Sequence, residues 1–330
     1  MSGPSVGGTS DRWLQPGFAI RKIYEKVEPN LIFGDYLNGP IMEDRASFMY
    51  LYDDVGISGD TKKQTAPRFQ VGADLPRLDF SLPSTAAAMT ESKGFEIAVP
   101  RSVVRDGVAG EAAIERYFNR AGYILAEQIN TAQYTAMTAG TGSTTLYAAS
   151  VAAGGVWSGA DATPVTDLMA LAEDADIEGY PYSTTEAFVH KNSFYDAKEY
   201  LNFIDGGQFN DGRPTGTMVN RDTIYVKQAD MTLHKVKSGL TDGDILGIDR
   251  NNLGAELHVY SDPMFSTASA RVKYKTIVDG KEVTKSAPNM GLHYYEYMEK
   301  DTKATIMQFW FENKTVLTEP LAIQYESTGN

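Results

Sequence analysis

Apolar positions along the chain change their period several times, and the changes divide it into elements. From Glu111 to Met137, the residues Ile114, Tyr117, Phe118, Ala121, Leu125, Ile129 and Ala132 recur at steps of three and four, which predicts one apolar stripe on an amphipathic helix. At about 1.5 Å per residue such a helix is a rod roughly 40 Å long, far above the globular mean of about 11 to 12 residues. Just upstream, GFEIAVP alternates, with Phe95, Ile97 and Val99 on one face, and predicts a strand. Nearer the N-terminus, FAIRKIYEKV places Ile20, Ile23 and Tyr24 on one side of a short helix that Pro29 ends.

Between Met42 and Glu96 the pattern breaks. The strand-like ASFMYLYDD runs into a stretch rich in Gly, Pro, Ser and Thr, longer than the roughly 12 to 15 residues usual for a structureless loop. The expectation is a long two-stranded arm projecting from the body, with GFEIAVP as its return strand. After the long helix comes a small-residue linker, TAGTGSTTLYAASVAAGGVWSGADAT, and Pro164 then opens a helix over VTDLMALAEDA. TEAFVH reads as a strand before the helix FYDAKEYLNF, and GTMVNRDTIYVKQADMTL as further strands, an α/β layer with a small mixed sheet. Asp279-Gly280 sits between alternating residues as a hairpin turn; LHYYEYMEKDTKATIMQFWFENKTV predicts a second hairpin and EPLAIQYE a last strand. No internal repeat supports a solenoid.

Composition narrows the function. The 330 residues suffice for one large or two modest domains, and 42% hydrophobic with 22% charged residues is ordinary globular usage. A net charge of -13 repels polyanions and argues against a dedicated nucleic-acid binder. Zero cysteines exclude disulfides, thiolate metal sites and a Cys nucleophile, and fit a reducing compartment. The first thirty residues hold no apolar signal core, and no apolar run approaches the roughly 18 residues of a membrane span, so neither export by a signal peptide nor membrane insertion is expected.

Candidate chemistry is sparse. His190, His234, His258 and His293 show no i, i+4 metal spacing and read as surface or strand histidines. AGTGSTT lacks the Lys of a phosphate loop, and no nucleophile elbow or dinucleotide fingerprint occurs. Asp242, Asp244 and Asp249 in DGDILGIDRNN are similar to a calcium loop, yet Leu246 and Leu253 stand where oxygen ligands are needed, so a loop of solvated carboxylates is expected. Asp53, Asp54 and Asp60, or Glu173, Asp174, Asp176 and Glu178, could pair for glycoside hydrolysis, which keeps a carboxylate-dependent carbohydrate-active enzyme or binding module as an alternative. Asn313-Lys314-Thr315 is a sequon without meaning in a chain that is not exported. Arg271, Lys273 and Lys275 alternate on one strand face, either solvated or docked on an acidic neighbour. A rod without reactive groups and an arm without its own core place function in interfaces, most simply with copies of the same chain.

The order of these elements resembles the major capsid protein of tailed double-stranded DNA viruses, the Hong Kong 97 fold. The carriers are the arm, SKGFEIAVPRSVVRDG, the spine helix ending AEQINTAQYTAMTAG, the α/β insertion with GRPTGTMVNRDTIYVKQADMT, and the closing TEPLAIQYE. The resemblance implies an α+β fold: an N-terminal arm over 1–42, an extended loop over 43–99, a peripheral domain with the spine helix over 100–150, an axial domain over 151–261 and peripheral strands over 262–330. It implies a non-enzymatic subunit of an icosahedral shell of hexamers and pentamers, in a virion made in the host cytoplasm and enclosing DNA without binding it specifically. Portal, scaffold or decoration proteins are further partners, an encapsulin-type nanocompartment is the same-fold alternative, and no cofactor, metal or membrane is expected. No scaffolding-like region precedes the arm, 271–287 is extra to the type, and no cross-linking residue set matches. Asp53, Asp54, Lys62, Lys63, Arg271, Lys273 and Lys275 are the candidates for contact between subunits.

Overall fold

The computed structural model describes residues 16–52, 84–100, 108–138, 151–152, 157, 162–176, 182–206, 216–220, 222–237, 239–262, 266–267, 273–278, 281–286, 291–299 and 304–327. Helix α1 (Pro16–Val27) leads through two 3-10 turns to strand β1 (Asn38–Glu43); β2 (Ser47–Tyr52), β3 (Ser84–Met89), β4 (Glu91–Pro100) and the long helix α2 (Val108–Thr138) follow. Next come β5 (Val151–Ala152), α3 (Pro164–Ala175), β6 (Glu186–His190), α4 (Lys191–Gly206), β7 (Gly216–Asn220), β8 (Thr223–Val226), β9 (Met231–Val236) and β10 (Ile245–Ile248). The chain continues through β11 (Ala255–Tyr260), β12 (Ser266–Thr267), β13 (Lys273–Val278), β14 (Lys281–Ser286), β15 (Leu292–Glu299), β16 (Ala304–Leu317) and β17 (Ile323–Ser327).

The first sheet is built around β16, whose 14 residues pair with β4 along one edge, from Ala304 opposite Pro100 to Asn313 opposite Glu91. Its other edge is shared by β15 and β11, and β1 and β12 complete the order β1-β11-β16-β15-β12. Period-two alternation sends Ile97, Val99, Met307, Phe309 and Phe311 into one core with Ile114, Phe118, Leu125 and Ile129 of α2. Phe118 meets Phe309 edge to face at 6.0 Å, and Tyr24 of α1 meets Phe311 at 6.2 Å. Helix α1 crosses α2 at Gly122, where a Cβ would stand 2.6 Å from the Cβ of Lys26, so only glycine permits the approach. Tyr117, expected on the buried stripe, is 56% exposed. One residue turns a helix by about 100°, so with Phe118 at the centre of the stripe Tyr117 points to its flank.

The second sheet has the order β5-β17-β10-β6-β9-β8-β7 and is mixed, parallel at β5/β17 and β6/β9. Its core combines Leu168 and Leu171 of α3, Phe194 and Leu201 of α4, and Val189, Ile224, Leu233 and Ile245 of the strands. Two strands group differently from the expected division of the chain. Ala255–Tyr260, expected within 151–261 with the insertion, pairs with β1 and β16 in the first sheet; Ile323–Ser327, expected with the strands of 262–330, lies between β5 and β10 in the second. Alternation marks a strand but not its partner. The β13–β14 hairpin forms in the expected register, with Val278 opposite Lys281.

Candidate assembly surfaces

Strands β2 and β3 pair with each other from Ser47 opposite Met89 to Tyr52 opposite Ser84, as a ribbon that belongs to neither large sheet. This is the root of the expected arm; its outer part, 53–83, lies outside the described residues. Residues facing each other across an antiparallel pair share a side, so Met49, Leu51 and Met89 share one face and Phe48, Tyr50 and Ala88 the other. Met49 is 72% exposed, Leu51 58% and Met89 66%, whereas Phe48 alone among the described ribbon side chains is buried. A two-stranded ribbon is marginal in water. One with an apolar outer face calls for a covering partner.

The ribbon is anchored at its base. The Thr90 N–H and hydroxyl both donate to the Ala46 carbonyl, at 2.8 and 3.3 Å. GFEIAVP is not the strand that returns along β2, as expected: β3 takes that place, and β4, which carries GFEIAVP, pairs with β16 in the first sheet. It passes so close to β16 that a Cβ on Gly94 would stand 2.1 Å from the Phe309 carbonyl oxygen. Between the ribbon, the flank of α2 and the ends of β4 and β16 lies an open groove of about 1040 Å³, lined among others by Tyr50, Ala87, Ile124, Thr131 and Lys314. Glu91 on its wall is paired with Lys314 and, at 3.1 Å, with Lys93. The hydrogen bond from Lys314, foremost, holds the Glu91 carboxyl below the usual carboxylate range.

The N-terminal segment is fastened to both layers. Its backbone at Asn30 and Ile32 is bonded by Asn130 of α2, and Tyr36 packs edge to face on Phe188 of the second sheet at 4.9 Å. The Tyr36 hydroxyl lies 3.3 Å from His234 Nε2, which is 2.5 Å from the buried Glu186; Arg250 reaches the same carboxylate at 3.3 Å. Burial first, then the negative charge of Glu186, pushes the Tyr36 phenol up to about 12. Among the described residues, no group of three or more metal-ligating side chains could hold an ion.

Several residues expected on solvated loops or surfaces are buried instead. Asp244 accepts from the hydroxyls of Tyr134 (3.2 Å) and Tyr325 (2.8 Å). Asp249, only 1% exposed, accepts from the N–H groups of Ser183 and Asn251 and the amide of Asn252. Tyr134, Tyr325 and Ser183 come from distant parts of the chain, Asn251 and Asn252 from the turn after Asp249, and together they replace water, so a loop of solvated carboxylates is found only at Asp242, which binds Asn192 and Ser193. All four histidines lie on strands, but His258 and His293 are buried. Asn313 and Thr315 of the sequon are buried in β16. Glu173 and Asp174 lie in the last turn of α3 and Asp176 at its C-cap, while Asp53, Asp54, Asp60 and Glu178 lie outside the described residues.

Of the candidates for subunit contact, Asp53, Asp54, Lys62, Lys63 and Arg271 lie outside the described residues. Lys273 and Lys275 stand at alternate positions of β13, opposite Ser286 and Thr284. Sequence reasoning passed over Phe48, Met49 and Leu51, although SFMYLY carries the signal: apolar residues on both faces of one strand mean cover on both sides.

No family model matches the sequence, and no curated protein matches it. Solved structures do. The chain is similar to a virus-like particle from Pyrococcus furiosus, with a TM-score of 0.52 and 9% identity over 93% of this chain and 96% of that one. It is similar to the capsid of an empty GTA particle, with a TM-score of 0.52 and 11% identity over 91% and 90%. It is also similar to the holo-SrpI encapsulin complex from Synechococcus elongatus, with a TM-score of 0.51 and 8% identity over 100% and 92%. The two sheets, the long helix between arm and insertion, and these whole-length likenesses give one conclusion: the chain has the α+β Hong Kong 97-type capsid fold.

Proposed function

We propose that the chain is a structural subunit that self-assembles into the icosahedral capsid of a tailed virus, enclosing double-stranded DNA. The observation that carries assembly is the ribbon β2–β3, whose outer face of Met49, Leu51 and Met89 is apolar and uncovered by the chain's own sheets. A second copy is the partner that a repeating shell supplies to every such ribbon at once. On this reading α2 with the first sheet forms the peripheral domain, the second sheet with α3 and α4 the axial domain, and 43–99 the extended loop. The net charge of -13 suits a container that does not grip its DNA. Lys273, Lys275 and Arg271 contact acidic residues of a neighbour, and the acidic and basic pairs Asp53, Asp54, Lys62 and Lys63 extend the contact along the arm. Reversing the three basic residues to Glu then impairs assembly of a folded subunit, less so in high salt. Portal, scaffold or decoration proteins join the shell, in a virion assembled in the host cytoplasm.

Negative-stain microscopy and nucleic-acid assay of particles purified from producing cells test this reading. Closed shells containing DNA are expected. Closed shells containing a protein cargo and no genome would make the chain an encapsulin-type compartment. Discrete small oligomers at every concentration would overturn assembly altogether.

A further inference from the structure

The arm root rests on a titratable side chain. Phe48 stacks on His258 with ring centroids 4.2 Å apart and planes 14° from parallel. Beneath it the imidazole is held at both nitrogens: Nδ1 lies 2.7 Å from Glu43 Oε1 and Nε2 lies 3.2 Å from Glu256 Oε2. The His258 side chain is 5% exposed, while the two carboxylates keep 22% and 24%. Ionised carboxylates only accept hydrogen bonds, and a neutral imidazole carries a single N–H. Satisfying both contacts therefore requires the imidazolium. Three elements meet at this ring: β1 brings Glu43, β11 brings His258 and Glu256, and β2 brings Phe48.

Among the described residues, three further groups bear on the ring and its carboxylates. Tyr50 of β2 lies 6.4 Å away, its phenol raised by burial and then by Tyr52. Lys314 of β16 stands opposite His258 in register, but its ammonium is engaged by Glu91 of β4. Asn38 of β1 donates to the far oxygen of Glu256 at 3.4 Å. Next to the imidazole the charge is thus dominated by Glu43 and Glu256.

We propose that His258 is a pH-sensitive latch for the arm: as an imidazolium it bridges Glu43 and Glu256 and seats Phe48, and on losing a proton it frees the ribbon. The cation offers Phe48 a charged plate against its ring face. A neutral ring leaves one carboxylate opposite a nitrogen lone pair, and that carboxylate, already partly exposed, turns to water. Phe48 is the single buried side chain among the described ribbon residues, so loosening its seat loosens β2 and β3 together. The latch is closed while the ring carries both protons and the carboxylates are ionised, so it opens as pH rises.

The experiment uses the full chain, dilute enough to remain unassembled, so its outcome is independent of whether shells form. Amide hydrogen exchange of 47–52 and 84–90 is measured at pH 5.5 and 8.0 and corrected for intrinsic rates. A roughly tenfold loss of protection at the higher pH is expected in the native chain, which corresponds to about 1.4 kcal/mol for the latch contacts. His258→Gln removes that dependence. Glu43→Gln combined with Glu256→Gln keeps the ring and its stack but removes both ionic acceptors, and leaves the ribbon weakly protected at either pH. Equal protection of the native ribbon at both pH values overturns the latch, as does an undiminished pH dependence in the doubly substituted chain. The latter variant decides the matter even if His258→Gln does not fold.

Discussion

The side-chain amide of Asn130, in the middle of the long helix, donates to the backbone carbonyl of Asn30 at 2.8 Å. Its oxygen accepts from the N–H of Ile32 at 3.0 Å. One buried side chain thus completes the backbone bonding at the exit of the 3-10 turn Glu28–Asn30, about a hundred residues earlier in the chain. Asn130→Leu is expected to cost about 1 to 3 kcal/mol, because it leaves one donor and one acceptor without partners. Urea unfolding checks this: the midpoint falls while the slope stays constant. An unchanged midpoint means water replaces the amide freely.

The assignment of the buried face of α2 is tested by a contrast. Leu125 is fully buried, and Tyr117 is largely exposed. Leu125→Ala is expected to lower stability by about 2 to 5 kcal/mol. Leu125→Asp, which buries an unpaired carboxylate, is expected to abolish soluble folded protein. Tyr117→Asp changes stability by no more than about 0.5 kcal/mol. Comparable losses at the two positions would mean that the helix is rotated from the orientation described.

A third expectation concerns acid. His293 is fully buried, its ring stacked 9° from parallel on Trp310 at 5.2 Å, and its Nε2 accepts from the Asp262 N–H at 2.8 Å. Burial, the foremost cause, holds its pKa below the ordinary imidazole value. The unfolded chain therefore binds this proton first as pH falls. Stability contributed by the neutral ring is intact above about pH 6.5 and declines from there towards the depressed folded value, by at most about 1.4 kcal/mol per pH unit. In His293→Phe this part of the acid slope disappears, though the chain is less stable at neutral pH because Asp262 loses its acceptor. Thermal unfolding of both chains at pH 7.5, 6.0 and 5.0 gives the comparison; parallel curves would remove His293 from the account.

How much of this was visible beforehand differs by the range of the interaction. The helix stripe of Ile114, Phe118, Leu125 and Ile129 and the alternation of Ile97 and Val99 are local patterns, and both lie in the core as read. Asp244 and Asp249 looked like loop carboxylates because their partners, Tyr134 for one and Ser183 for the other, are 110 and 66 residues away. Strand identity was legible and strand grouping was not. Nothing in AELHVY says that it joins β1 and β16, and nothing in IQYES says that it slots between β5 and β10. For the candidate surface, the strand in ASFMYLY was legible, and it pairs with β3, while the outer part of the expected arm, 53–83, lies outside the described residues. The strand's hold on the body through Phe48 and His258 was not legible, because ring stacking between residues 210 apart leaves no periodic trace.

The outer face of the ribbon gives the most direct test of assembly. Met49 and Leu51 occupy alternate positions of β2 and point the same way, with Met89 beside them on β3. In the isolated subunit these side chains meet water, so exchanging them for charged ones removes little packing, and a folded-state change within about 0.5 kcal/mol is expected. If the proposed function holds, the same face lies against a neighbour in the shell, and a carboxylate there is desolvated without a designed partner. Met49→Glu combined with Leu51→Glu should therefore give a subunit with native circular dichroism and melting temperature that no longer forms shells. Phe48→Ala should instead disturb the root of the arm in the free subunit, since that ring is already buried within one chain. Sedimentation velocity separates the two outcomes. Shells formed in normal yield by the double glutamate variant would show that the ribbon's outer face is not a subunit contact.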